Sequence, residues 1–324
     1  MTLNEIAKNL GVRISTLQSI ARQANYLYIS YRVKKYDGSY RTINHPSRRL
    51  KAIQREILKQ VFSKAPVHVN VYSYKKGISI GDLARYHAGA SYLTRFDFTK
   101  FFESILQSDI DLLIEKLIDS GSIDLLKSDI QTISKLVTLK GALTIGAPSS
   151  PMISNCIMYS FDVFCADYCR SKGVKYSRYA DDIYLSSSSP NVLKPLGAFL
   201  ITNFSKHTSL KLSLNRDKSL FTSKKHGMKV TGLTLTSDGK VSLGREKKRK
   251  IRSMLHHFSH GRLDERQAES LRGYLNFALN MEPTFITSMK AKFGKEIKQL
   301  SISPPKPKRW PFYSRQSIGI RGSY

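Results

Sequence analysis

Two adjacent aspartates, Asp181 and Asp182, interrupt the apolar, β-patterned run Arg178-Tyr179-Ala180-Asp181-Asp182-Ile183-Tyr184-Leu185. Neighbouring carboxylates repel each other, so a half-buried strand tip normally avoids them. A divalent cation reverses the sign of that cost, because it binds hard oxygen ligands. A third carboxylate, Asp97, sits in Thr94-Arg95-Phe96-Asp97-Phe98, where a lone Asp is expensive unless it is partnered. Three carboxylates on two neighbouring strands can hold two Mg²⁺ ions about 3.5–4 Å apart. One ion would activate a 3′-hydroxyl; the other would hold a triphosphate and stabilise the leaving pyrophosphate. On residue types alone, Asp181-Asp182 also fits a polar hairpin turn and Asp97 a strand-end cap.

The elements that must position these residues are a short strand, Tyr92 to Phe98, and a strand-turn-strand unit, Tyr176 to Ser186, with the paired aspartates at or beside its turn. Upstream, residues 26–43 alternate in polarity around the turn signal Tyr36-Asp37-Gly38-Ser39. Pro46 precedes an amphipathic helix marked by Leu50, Ile53, Ile57, Leu58 and Val61. Residues 105–140 read as mainly helical, Gly141 to Pro151 as a loop, and Ser154 to Cys169 as a helix. The first 25 residues predict two short helices, with Thr2/Glu5 and Ser15/Gln18 spaced as capping boxes. They fit a packing appendage or, as the alternative, a helix-turn-helix DNA reader. Residues 245–295 read as helical, and the segment from Ser301 carries five basic residues, four prolines and no acid, which predicts an extended tail.

The whole chain is strongly basic. Its 324 residues carry 53 Lys+Arg against 24 Asp+Glu, a formal charge of +29. With 41% hydrophobic residues it has enough apolar content for a buried core, which excludes disordered and low-complexity classes. The charge points to a polyanionic partner, nucleic acid before an anionic membrane. Six of the eight positions from Arg245 to Arg252 are basic: Arg245, Lys247, Lys248, Arg249, Lys250 and Arg252. Ile251, Leu255 and Phe258 supply the apolar stripe of that helix, and the cations are expected to meet duplex phosphates.

Other chemistries lack their residues. Cys156, Cys165 and Cys169 cannot build a disulfide framework and lack further ligands for zinc, so they read as buried and reduced. His256, His257 and His260 read as polar helix residues. The serines of Gly146 to Pro151 lack a Gly-x-Ser-x-Gly elbow, and no P-loop is present. The polar start Met1-Thr2-Leu3-Asn4-Glu5 is not a signal peptide, and no apolar run reaches membrane-spanning length, so a cytoplasmic protein is expected.

Tyr179-Ala180-Asp181-Asp182 resembles the catalytic box of reverse transcriptases, and the resemblance extends in family order along the chain. Asp97 to Ile105 is similar to the first catalytic block, and Gly146-Ala147-Pro148-Ser149-Ser150-Pro151 to the central Gly-x-x-x-Ser-Pro loop. Arg41-Thr42-Ile43-x-x-Pro46 and Leu50-Lys51-x-x-Gln54-Arg55 resemble fingers motifs; Leu214-Asn215-x-x-Lys218-Ser219 resembles the block after the catalytic hairpin. Val230-Thr231-Gly232, then Leu243-Gly244-Arg245-Glu246-Lys247, resembles the signature of retron reverse transcriptases, as do Ala84-Arg85-Tyr86-His87 and Leu271-Arg272-Gly273-Tyr274-Leu275. Two positions depart from the pattern: Leu83 stands where the retron motif usually carries Asn, and Ile145 where most reverse transcriptases have Gln.

The resemblance implies an α+β right-hand polymerase. Its parts would be a helical appendage at 1–30, fingers at 31–95 with 106–150 interleaved, a palm at 96–105 and 151–240, a helical thumb at 241–298, and a basic tail at 299–324. It implies catalysis by Asp97, Asp181 and Asp182, two Mg²⁺ held by these and Phe98, and dNTP binding by Arg41, Lys75, Lys76, Phe102, Gly146, Ala147 and Lys218. Phe102 would be a steric gate against ribonucleotides, or else a core residue; Lys218 would protonate pyrophosphate. Ala84, His87, Val230, Thr231 and Gly232 would contact nucleic acid, with the basic residues from Arg245 to Arg252. The implied partners are a structured noncoding RNA, its branched RNA–DNA product and a separate effector protein in antiphage defence, with no membrane. A nucleoprotein scaffold that restrains an effector is the alternative, as is a group II intron-like enzyme.

Overall fold

The computed structural model describes residues 3–35, 38–203, 208 and 210–301. Thr2, Tyr36, Asp37 and the tail beyond Ser301 with Trp310 lie outside the described residues. The chain divides into two compact units, one ending at Val241 and the other beginning at Ser242.

The first unit opens with α1 (Leu3–Asn9) and α2 (Ile14–Gln23), whose apolar faces are buried in the core. α1 packs on α2 and on α3 (Arg48–Gln60). The Ser15/Gln18 spacing does not act as a cap: α2 starts earlier, with Arg13 as the residue before it and no side-chain cap. β1 (Tyr28–Lys34) and β2 (Tyr40–Pro46) form an antiparallel hairpin, largely exposed on both faces. Ser47 caps α3 by accepting the Leu50 N–H, and Leu50, Ile53, Ile57 and Val61 are buried as the periodicity predicts. α4 (Ile80–His87) follows, begun by a Ser79–Asp82 capping box.

A four-stranded antiparallel sheet forms the centre of this unit, in the order β4 (Lys175–Tyr179), β5 (Asp182–Ser187), β3 (Tyr92–Asp97), β6 (Leu220–Ser223). β5 is an inner strand, and Ile183 to Ser187 are all buried, consistent with cover on both faces. The segment 105–140 contributes α5 (Gln107–Asp119) and α6 (Ile130–Val137). The helix expected at 154–169 is two helices, α7 (Ser150–Ile157) and α8 (Tyr159–Ser171). α7 begins earlier than its Gly/Ser/Pro composition suggests, because Pro151 lies in the first turn, where a missing N–H costs nothing. α8 packs on β4 and α9 (Pro190–Thr202) on β3 and β5. β7 (Met228–Val230) and β8 (Leu233–Leu235) pair beside α4.

The second unit contains α10 (Arg245–Ser259), α11 (Glu265–Met281) and α12 (Pro283–Gln299) packed on one another. Ile251 and Leu255 of α10 are buried against them, while Phe258 is only half-buried.

Candidate active site

The sheet brings the three aspartates together at one end of its two inner strands, β3 and β5. Asp97 ends β3 directly opposite Asp182, which begins β5. Tyr179 pairs with Asp182, so Ala180 and Asp181 form a two-residue hairpin loop. Such loops need a positive φ, ordinarily supplied by Gly or Asn. Here Ala180 adopts φ 55°. Beyond the last strand pair, the Phe98 N–H donates to the Asp181 carbonyl at 3.2 Å. On the other side, residues 213–215 run beside the end of β3: Thr99 N–H donates to Ser213 O at 2.9 Å, and Asn215 N–H to Asp97 O at 2.8 Å. A single helical turn, Arg216–Lys218, then brings the Lys218 ammonium to 3.3 Å from Asp97 Oδ1.

Negative charge is concentrated at this end of the sheet. Burial raises the pKa of Asp181, helped by the charge of Asp97. Burial and then the charge of Asp181 raise Asp182 to about 6. The Arg95 guanidinium offsets little, at 3.9 Å from Asp182. Tyr184 Oη donates to Asp182 Oδ2 at 3.3 Å and accepts the Thr231 N–H at 3.3 Å. Among the described residues no three His, Cys, Asp or Glu side chains converge closely enough to enclose an ion as they stand. The donor set nevertheless fits a hard divalent cation: neighbouring carboxyls that burial and mutual repulsion disfavour as bare anions would be relieved by binding one.

Sequence reasoning overlooked the support of this turn. Arg178 of β4 and Asp162 of α8 are fully buried and form a two-bond ion pair, and Arg178 also donates to Asn155 and to the Ala180 carbonyl. The available signal was placement. Asp162 shares a helical face with Cys165, Ala166 and Cys169, and Arg178 lies inside an apolar strand, so each is a buried charge that requires a partner.

Residues 33–235 match the family model described as reverse transcriptase (RNA-dependent DNA polymerase). The chain is 34% identical to the Retron Ec83 reverse transcriptase of Escherichia coli, over 85% of this chain and 90% of that one. It is 32% identical to the Retron Ec86 reverse transcriptase of Escherichia coli, over 90% and 91% of the two chains. The chain belongs to the retron reverse transcriptase family. It is accordingly an RNA-directed DNA polymerase. Telomerase from Candida tropicalis, solved with a fragment of telomeric RNA, superposes with a TM-score of 0.50 at 13% identity, covering 84% of this chain and 55% of that one. The fold is that of the right-hand polymerases. Members of the family generally use divalent metal ions.

The other residues singled out in this reverse transcriptase take varied positions. Arg41 is exposed on β2 and lowers the pKa of Asp181 through its charge. Lys76 is exposed, whereas Lys75 turns back to donate to the carbonyls of His68 (3.1 Å) and Val69 (3.3 Å). Phe102 is half-buried, with its ring centroid 5.5 Å from that of Phe101. Gly146 has φ 111°, and a Cβ there would collide with the Asn44 carbonyl oxygen. This close approach docks the loop on β2, where Asn44 N–H donates to Ile145 O at 2.8 Å. Ala147 is buried beside it in sequence.

Of the retron motif residues expected at nucleic acid, Ala84, His87 and Val230 are buried side chains. Both His87 nitrogens are engaged, Nδ1 with Ser186 Oγ and Nε2 with Ser177 Oγ, each at 2.7 Å. The ring therefore pins β4 to β5 rather than facing solvent, because α4 packs on β4, β7 and β8. Thr231 and Gly232 follow β7 with positive φ of 46° and 80°. In the second unit, Lys248 is paired with Glu282 at 2.5 Å, so it is not directed at solvent. Lys247 and Lys250 lie over the rings of Phe277 and Tyr274, and Arg252 over Phe285. Arg245 and Arg249 are also on α10, and both are exposed. All three cysteines are free and buried. Among the described residues no helix is long and apolar enough to cross a membrane.

Proposed function

We propose that this reverse transcriptase binds a cognate structured noncoding RNA and copies part of it into single-stranded DNA, beginning from a guanosine 2′-hydroxyl, so that a branched RNA–DNA molecule results. The pairing of Asp97 with Asp182 across β3 and β5, with Asp181 in the adjoining turn, carries the reading, within a chain similar to retron enzymes over most of its length. Asp97, Phe98, Asp181 and Asp182 would hold two Mg²⁺, which when bound lower the pKa of the attacking hydroxyl and neutralise charge on the leaving pyrophosphate. Lys218, beside Asp97, would give a proton to pyrophosphate. Arg41 and Lys76 carry positive charge for the triphosphate, and Phe102 supplies the ring that disfavours a ribonucleotide 2′-hydroxyl. The α10 cations supply phosphate contacts to the product duplex. A cytoplasmic role in antiphage defence, with a separate effector protein held by the RNA–DNA product, completes the proposal.

The test is the nucleic acid that copurifies with the protein when it is expressed from its own operon. On a denaturing gel, a short DNA whose mobility shifts after RNase and again after a debranching enzyme is expected. Unbranched DNA would overturn the 2′-priming assignment while leaving the polymerase intact.

A further inference from the structure

A closed set of buried polar bonds surrounds the catalytic turn. Arg178 donates from Nε to Asp162 Oδ1 at 2.8 Å and from Nη2 to Oδ2 at 2.7 Å. Tyr176 Oη donates to the same Oδ1 at 2.6 Å. The remaining guanidinium nitrogen, Nη1, donates to the Ala180 carbonyl at 3.0 Å and to Asn155 Oδ1 at 3.1 Å. Asn155 Nδ2 in turn donates to the Ser73 carbonyl at 3.0 Å, and Ser73 Oγ accepts the Ala180 N–H at 2.8 Å. Both main-chain polar groups of Ala180 are therefore held by side chains, the carbonyl by Arg178 two residues earlier and the N–H by Ser73 from a distant part of the chain. The segment bearing Ser73 is itself tied to β4, since Arg178 N–H donates to Asn70 O and Tyr72 N–H to Arg178 O.

This arrangement is costly if stability is its sole purpose. A non-glycine residue in the left-handed region costs about 1–2 kcal/mol, and glycine at position 180 would remove that. A buried ion pair is seldom more stabilising than apolar side chains of similar volume. What the arrangement does supply is direction: guanidinium geometry is planar and fixed, and both main-chain polar groups of the residue before Asp181 are bonded within it. We propose that Asp162, Arg178, Asn155 and Ser73 form a clamp that fixes the peptide groups of Ala180 and thereby aims the Asp181 carboxylate. These four are positioning residues. The inference rests on the reading of Asp181 as a catalytic ligand.

The experiment uses the full-length chain on an annealed RNA template and DNA primer. Ser73→Ala removes one acceptor without disturbing the ion pair, and Ser73→Thr restores a hydroxyl. At a temperature well below the melting transition, Ser73→Ala is expected to lower kcat by about 10–100-fold, as a displaced catalytic group does. KM for dNTP and Kd for template–primer should stay within about twofold, because binding groups are untouched. Ser73→Thr should recover most of kcat. Arg178→Lys keeps the charge but not the fork, and should behave like Ser73→Ala if it folds; if it does not, the serine pair decides alone. A Ser73→Ala protein with a lowered melting temperature but wild-type kcat would overturn the clamp and leave a purely structural network. Wild-type activity in Asp181→Asn would instead overturn the reading of the site, so the two failures are distinguishable.

Discussion

Asp97 and Asp182 face each other as the terminal pair of the β3–β5 ladder, and the Phe98 N–H closes the pair by bonding the Asp181 carbonyl at 3.2 Å. Three carboxylates thus leave a main-chain frame held on both sides, while the nearby cations Lys218 and Arg95 offset their mutual repulsion only in part, since Asp181 and Asp182 keep raised pKa values. Such a frame is suited to a charge that arrives with the substrate.

Metal dependence follows directly. Mg²⁺ should raise the melting temperature of the wild-type protein, because a ligand bound only by the native state stabilises it. Asp182→Asn should abolish that shift while removing one repulsive charge, so its metal-free protein should be no less stable than wild type. Thermal melts with and without Mg²⁺ check both outcomes; an undiminished shift in the variant would place the ion elsewhere.

Lys218 donates to Asp97 across a half-exposed contact, so its ion pair alone contributes little stability. Lys218→Gln is therefore expected to leave the melting temperature nearly unchanged. If the ammonium supplies a proton in the chemical step, kcat should fall by about 10²-fold, the lower end for general acids. Single-turnover incorporation measures this, and an unchanged rate would reduce Lys218 to a surface partner of Asp97.

His87 gives the fold a definite pH dependence. Burial holds its folded-state pKa down at about 3, against an ordinary value of 6.5. The unfolded chain therefore binds a proton over that interval and the folded chain does not. The contribution is complete above pH 6.5 and is lost as pH falls towards 3, with a slope of at most about 1.4 kcal/mol per pH unit. Urea midpoints measured between pH 7 and 4.5 should fall more steeply for wild type than for His87→Gln. Equal slopes would mean that His87 protonates without opening the β4–β5 pair.

The α10 cations should separate into two classes. Arg249→Gln, at an exposed position, should reduce the salt slope of template–primer binding by about one. Lys248→Gln should leave the slope alone and lower the melting temperature, because it leaves Glu282 without its ammonium partner. Binding titrations at several salt concentrations, alongside melts, distinguish them; the reverse result would mean that Lys248 leaves Glu282 to meet phosphate.

The residues of the candidate site were legible because they violate the local pattern in which they stand. Asp97 and Asp181-Asp182 are anions inside apolar strands, and strand alternation already placed them at strand ends. The apolar stripe of α3 was equally plain. Less visible were features fixed by distant parts of the chain. Nothing near Arg178 names Asp162 as its partner, and nothing near Ala84-Arg85-Tyr86-His87 shows that His87 reaches the serines of two strands. The basic run of α10 reads as one uniform face, yet Glu282, far along the chain, captures Lys248. Ser150-Pro151 reads as loop by composition, whereas proline is accepted in a first helical turn.

The most direct test of the central claim is RNA-templated incorporation of dNTPs by the purified full-length chain in Mg²⁺, comparing wild type with Asp97→Asn. The wild-type protein should extend a primer on RNA. The variant should retain template–primer affinity and lose incorporation by on the order of 10³-fold or more, as expected when charge stabilisation at the reacting centre is removed. Comparable extension by the variant would contradict the assignment of this carboxylate cluster as the polymerase centre.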